Sequence, residues 1–438
     1  MREGSSPQRL SDLITHRIAR SRLTSVVHPL SLFLSSLLIS SLEVSSAHAI
    51  DLNGDLKLFH VMSGAPRGLA SVGGSSSGAL TSRLKLKKRW GRYSLEGHAF
   101  LNALGSSNTH SGPFALSPNV ANVGEALPLS YTLIDDGGAQ ALLRADRLVL
   151  TYEVGALRLK VGRQALSFGQ GRVFTPLDRV SPFSPAAVDR EYKPGVDAAR
   201  LDGFWGVAGE WTLVAAQRGS WALDHSVFGA RIKDSFNGWD LGLIGLWVSG
   251  DRVIGLSLAG ALGEVSVYGD AAFTWRAASG ALARADELRG VDSTFIRSTL
   301  GGSWSWAEAG GGSITLETSW LGDGASSPSA YLISATDPRV RQGERWLLGQ
   351  AYTSVALAQA LTPLINASIS VIANLSDLSA LVGPALSWSV SNEVNVSLGG
   401  YAGAGLGLAP SSSSITPEIQ SEFGSLQWVS FAMMSAYY

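Results

Sequence analysis

The chain contains no cysteine. A chain without cysteine is held by its core or by a membrane, not by disulfides. Charge is scarce as well. Asp, Glu, Lys and Arg make up 16% of the 438 residues, against about 25% in an ordinary soluble protein. Histidine is rarer still. Beyond residue 49 only His60, His98, His110 and His225 occur, too scattered for HExxH or another metal-ligand spacing. Gly403, Gly405 and Gly407 are spaced like part of a phosphate loop, but no helix follows them. No catalytic site, metal or cofactor is expected. With a formal net charge of −1, no nucleic-acid partner is expected either.

Long apolar runs are also missing after the N-terminal region. The best candidate, Ser354 to Leu386, is interrupted by Pro363, Asn366, Asn374, Asp377 and Pro384. Yet hydrophobic residues are 45% of the chain, and 50 residues are glycine. An apolar chain without spanning helices has one other way to cross a bilayer. That way is a closed β-barrel, in which every backbone group pairs between strands.

The N-terminus reads as an export signal at 1–49. Arg2, Arg9, Arg17, Arg20 and Arg22 precede a serine-broken apolar run from Val26 to Leu42. Ala47-His48-Ala49 then forms a small-residue cleavage site.

What is abundant is period-two alternation. Leu84 and Leu86 alternate with Arg83, Lys85, Lys87 and Arg89. Leu157, Leu159 and Val161 alternate with Arg158 and Lys160. Val265, Val267, Phe273 and Trp275 oppose Ser266, Tyr268, Asp270 and Thr274. Ile314, Leu316 and Trp320 oppose Ser313, Thr315 and Glu317. Tryptophans gather near strand ends, as membrane-interface girdles require. Counting such segments predicts an all-β, transmembrane antiparallel β-barrel of about 18 strands (16–18) over 50–438, with strands expected at 344–359 and 424–437 among them. The environment implied is the outer membrane of a Gram-negative bacterium, with outer-membrane lipid as partner. The chain ends on an alternating strand, Gln427 to Tyr438. That ending resembles the signal read by the barrel-assembly machinery, a second expected partner. Tight turns such as Glu153-Val154-Gly155 alternate with longer segments at 104–142, 277–293, 322–343 and 405–422, which are expected to be extracellular loops.

One stretch breaks the pattern. Residues 165–195 contain four prolines and three glycines, so no strand continues through them. They also carry Arg172, Asp178, Asp189 and Glu191 among Phe168, Phe174, Phe183 and Tyr192. A loop this long and this aromatic is expected to be functional. It is expected to fold into the lumen and narrow it.

Charge is distributed unevenly. Residues 50–233 hold 21 Lys and Arg against 15 Asp and Glu, whereas 234–438 hold 8 against 17. One arc of the wall should be basic. Facing lipid at mid-depth, Arg83, Lys85, Lys87, Arg89, Arg158 and Lys160 would each cost roughly 2–4 kcal/mol, so they should face the lumen. Asp178, Asp189 and Glu191 are expected to pair with that wall.

Gly162-Arg163-Gln164, Phe168-Gly169-Gln170-Gly171-Arg172, Pro176-Leu177-Asp178 and Gly195-Val196-Asp197-Ala198-Ala199-Arg200 resemble the pattern of alginate-export-type outer-membrane porins. The resemblance covers about forty residues. It implies a large barrel whose polar pore is narrowed by a loop or by charged residues. It adds Arg163, Arg172, Asp178 and Arg200 as pore candidates. The expected function is passive passage of small polar, anionic solutes through a porin or exporter. The alternative is a non-conducting surface receptor or adhesion barrel that works through its loops.

Overall fold

The computed structural model describes residues 50–68, 73–106, 125–219, 221–277, 280–341, 343–410 and 418–438. The expected signal at 1–49 and parts of the expected loops at 104–142 and 405–422 lie outside these residues.

Eighteen strands form one antiparallel wall: Asp51–Ser63, Ser75–Trp90, Tyr93–Ser106, Ala139–Val154, Leu157–Gln164, Val196–Trp205, Gly209–Gln217, Ser226–Phe236, Trp239–Val248, Asp251–Leu262, Val265–Trp275, Thr294–Trp306, Gly312–Leu321, Ala351–Thr362, Ile365–Asn374, Ser379–Ser389, Val394–Ala404 and Trp428–Tyr437. Each pairs with its neighbours in sequence. The last strand pairs with the first, from Asp55↔Tyr437 to Ser63↔Val429, so the barrel closes. Closure matters because an open sheet edge cannot sit in hydrocarbon.

The alternation decides which way each residue points. Leu241 and Leu243 are half exposed on the outside, and Ile244 and Leu246 between the same strands' neighbours are buried. Ile254 and Leu256 stand outward next to buried Val253. A soluble sandwich would bury these leucines, whereas here they form a continuous apolar belt of the kind lipid covers. Trp90, Trp205, Trp275, Trp320, Trp388 and Trp428 stand exposed at or near strand ends.

Several strand boundaries differ from expectation, two of them in ways that bear on the site. Residues 344–350 belong to a loop, and the strand runs Ala351–Thr362. Glu344 and Arg345 are buried in ion pairs above the wall, which removes them from the ladder. Residues 424–427 form a turn before the last strand, which begins at Trp428.

A further strand, Ser130–Asp136, was not foreseen. It pairs with the N-terminal half of Ala139–Val154, from Ser130↔Arg144 to Asp136↔Ala139. Leu157–Gln164 occupies the same edge lower down and stops at Arg163↔Leu148. The extra strand thus continues the wall where the chain leaves it at Gln164.

Two clusters fill the interior at the level of 165–195. Leu166, Phe168, Leu177 and Val180 pack with Val196, Val214, Val227, Ile244 and Val253. Phe174 and Ala186 pack with Tyr352, Ile372, Leu381 and Phe423. The segment therefore meets inward-facing residues from both sides of the barrel.

Candidate functional site

The 165–195 segment is tied to the wall at three places. The first is an exchange between wall carboxylates and segment backbone. Asp270 accepts hydrogen bonds from the backbone N–H groups of Gln170 and Gly171, each at 2.8 Å. Glu317 accepts from the N–H groups of Arg172 (3.0 Å), Val173 (3.1 Å) and Phe174, and from the Tyr268 hydroxyl at 2.8 Å. Five successive amides thus point at two carboxylates. Gly171 is required by space, since a Cβ there would lie 2.0 Å from the Phe174 carbonyl oxygen. On the wall, Gly255 leaves room for Leu177: an added Cβ would lie 2.2 Å from Leu177 Cδ2.

The second tie is a buried ion-pair network. Arg179 is fully buried and bonds Asp251 (2.8 Å) and Glu344. Asp251 also takes Arg339 at 2.7 Å, and Arg339 reaches Asp286 at 2.6 Å. Arg297 holds Asp323 through two bonds of 2.6 and 2.8 Å. Each charge here has a partner, which is the condition for keeping ions buried.

The third tie is at the end of the segment. Lys57 Nζ donates to Asp189 and to Glu191, both at 2.7 Å. The Tyr437 hydroxyl donates to Glu191 at 3.0 Å, and Lys85 donates to the Tyr192 hydroxyl at 2.6 Å. The Arg83 guanidinium lies between the rings of Tyr192 (4.4 Å) and Phe100 (4.7 Å), an electrostatically favourable stack. Burial pushes the Tyr192 phenol up to about 12, helped by its bond to Glu191. Burial also disfavours ionisation of Glu191, but Lys57 and the tyrosine hydroxyls outweigh it and hold the carboxyl below its usual range. Lys193 is pushed below its usual range by burial, against the pull of its partner Asp178.

The candidate residues distribute as follows. Arg83 faces inward, is buried, and shares Asp146 with Arg144 and Arg147. Lys85 faces inward towards Asp55 (3.6 Å) and Tyr192. Lys87 is on the same face and exposed. Arg158 is inward, bonded to Glu153 at 2.7 Å, near a tight turn. Lys160 is inward and half-buried, and among the described residues it has no ion-pair partner. Arg200 bonds Asp202 (2.7 Å) and Glu210 (3.3 Å). Arg172 is exposed and stacks on Tyr268 at 4.7 Å. Asp178 pairs with Lys193 inside the segment, while Asp189 and Glu191 meet Lys57 and none of the basic wall residues expected for them.

Arg163 lies elsewhere. It continues the parity of exposed Leu159 and Val161 and pairs across the ladder with exposed Leu148. It therefore faces away from the lumen, where it bonds Asp197 at 2.9 Å beneath the Leu127 carbonyl, which accepts at 2.7 Å.

Lys57, Asp270, Glu317, Arg179 and Arg190 were not among the pore candidates read from the sequence. Asp270 and Glu317 did carry a signal. Each is the one charged residue of its strand, VSVYGDAAFTW and GSITLETSWL. A lone carboxylate in a membrane strand needs a specific partner.

No protein-family model matches the chain, and no curated protein does. Solved structures do resemble it in fold. Acinetobacter baumannii OccAB1 is 10% identical with a TM-score of 0.52, covering 89% of this chain and 96% of that one. Pseudomonas aeruginosa OccK8 (OprE) is 10% identical with a TM-score of 0.51, covering 89% and 98%. Pseudomonas aeruginosa OccK9 (OpdG) has the same identity, TM-score and coverage. At this identity the likeness is one of fold: a porin-type barrel of 18 strands, the architecture of a Gram-negative outer membrane.

Proposed function

We propose that the chain is an outer-membrane channel through which small polar, preferentially anionic solutes pass, and that 165–195 forms its constriction. One observation carries the reading: the lumen side of the site has cations left over. Asp146 is shared by three arginines. Lys160 and Arg172 have no carboxylate partner among the described residues, and Arg190 spends its guanidinium on the carbonyls of Arg172, Ser184 and Pro185. In a narrow, low-dielectric passage fixed charges act more strongly than at an open surface. The surplus favours anions. The alginate-export resemblance of 162–200 bears on the inserted segment and adds no solute. The antiparallel pairing of Trp428–Tyr437 with the first strand supports a role for that terminal strand in barrel assembly.

The test is ion selectivity in planar bilayers. Replacing Arg158 and Lys160 together by Glu should move the reversal potential in a salt gradient towards cation preference. An unchanged reversal potential in a conducting double variant would show that the basic wall does not set selectivity.

A further inference from the structure

Beside the 165–195 segment a second stretch, Glu418 to Gln427, dips into the barrel mouth. Its Phe423 is 1% exposed and packs among Ala186 of the first segment, Trp346, Leu347, Ile372 and Leu381. Next to it Glu422 is also buried. Its carboxylate accepts hydrogen bonds from Leu348 N–H (2.8 Å), Asn374 Nδ2 (2.8 Å) and the Tyr352 hydroxyl. The Glu422 N–H donates to Asp377 at 2.8 Å, and the Phe423 N–H donates to Ser379 Oγ at 3.2 Å. So one glutamate joins three extracellular elements, namely the 322–350 loop, the turn at 375–378 and the 418–427 stretch itself. Among the described residues it has no cation. The titratable groups around it are Tyr352 from the wall, Tyr331 from the 322–350 loop and Asp377 from the turn, where the Tyr331 hydroxyl donates to Asp377 at 2.8 Å. The 165–195 segment presents Ser184, Pro185 and Ala186 here, and the Arg190 guanidinium of the same segment is spent on the Ser184 and Pro185 carbonyls.

We propose that 418–427 is a pH-dependent strap over the constriction, docked when Glu422 is neutral and released when it is ionised. The inference rests on the channel reading above. A neutral carboxyl can stay in this site. An ionised one meets three hydrogen-bond donors, but it also puts a second negative charge beside Asp377 in a buried place without a cation, and the burial outweighs the donors. Burial raises the Glu422 carboxyl to about 7, with Asp377 adding to it. A folded-state value above the unfolded one means that docking is strongest at acid pH and weakens as pH rises through neutrality. Undocking withdraws Phe423 from Ala186 and removes part of the packing that holds the constriction.

The absence of cysteine allows a direct test. Ser421 is 1% exposed, so a Ser421→Cys variant carries a single thiol hidden in the docked state. Maleimide labelling is compared in S421C and S421C/E422Q at each pH, which cancels the intrinsic pH dependence of the thiol. At pH 4 the two should react alike. At pH 8.5 S421C should react on the order of a hundredfold faster, in keeping with a carboxyl that moves from about 7 when docked to 4.5 when free. Single-channel conductance of the cysteine-free chain should rise over the same range and stay flat in E422Q. Equal labelling at both pH values would overturn the strap. Differential labelling without conduction would keep the strap and end the channel reading instead. Heat-modifiability confirms that each variant folds.

Discussion

The two ends of the 165–195 segment are fastened by opposite chemistry. At residues 170–174 the wall supplies carboxylates and the segment supplies backbone amides. At residues 189–191 the segment supplies carboxylates and the wall supplies Lys57. The first fastening uses no side chain of the segment, only its N–H groups, but it demands a fixed backbone path that admits only glycine at 171. The second tolerates backbone movement, because a lysine reaches its partners through a flexible stem. One end is a rigid seat and the other an adjustable clasp.

Substitutions can break the two ends separately. The largest effect is expected from Glu317→Ala. It strips the acceptor from three amides, two of them beside buried Phe174, at about 1–3 kcal/mol for each amide left unsatisfied. The segment should leave its seat. The readouts are cleavage by trypsin after Arg172 and a clear rise in single-channel conductance. Retained protease resistance would mean that packing of Phe174 and Leu177 holds the segment without the carboxylate.

Lys57→Met should act less strongly on the position of the segment. Asp189 and Glu191 lose their cation, but Glu191 is a third exposed and keeps access to water and to Tyr437. The loss is expected to be about 1–3 kcal/mol. The charge effect is the more visible one, since one cation disappears and two carboxylates are freed. The reversal potential should move towards cations with little change in conductance.

Arg163→Ala should have the smallest effect on permeation. Its pair with Asp197 faces away from the lumen, so selectivity should stay as in the parent chain while thermal stability falls. A shift in reversal potential in this variant would place Arg163 in electrical contact with the pore and overturn its assignment to the outer face.

Much of the wall was legible in the sequence, because a bilayer outside and water inside impose one alternation on every strand. Leu157 to Val161 and Val265 to Trp275 show it without ambiguity. Boundaries failed where charge left the ladder, as at Glu344 and Arg345. The site was legible in kind but not in pairing. Asp189 and Glu191 were expected against Arg83 to Lys160 and meet Lys57, 132 and 134 positions away along the chain. Nothing local distinguishes Lys57 from Lys85, since both alternate with leucines in basic-arc strands. Which one receives the acids depends on where the segment lands, and that is set by the distant seat on Asp270 and Glu317. Arg163 failed for a different reason. Its parity places it outside, and only the cover provided by residues 125–136 makes an arginine tolerable there.

That cover has a consequence for the wall. Where the chain turns away from the wall at Gln164, Ser130–Asp136 takes over the vacated edge of Ala139–Val154. The hydrogen-bond seam is mended by residues that precede the inserted segment and are independent of its composition. The segment behaves as a cassette. A change in the length or composition of 165–195 leaves that seam paired by Ser130–Asp136, so the wall stays closed beside it.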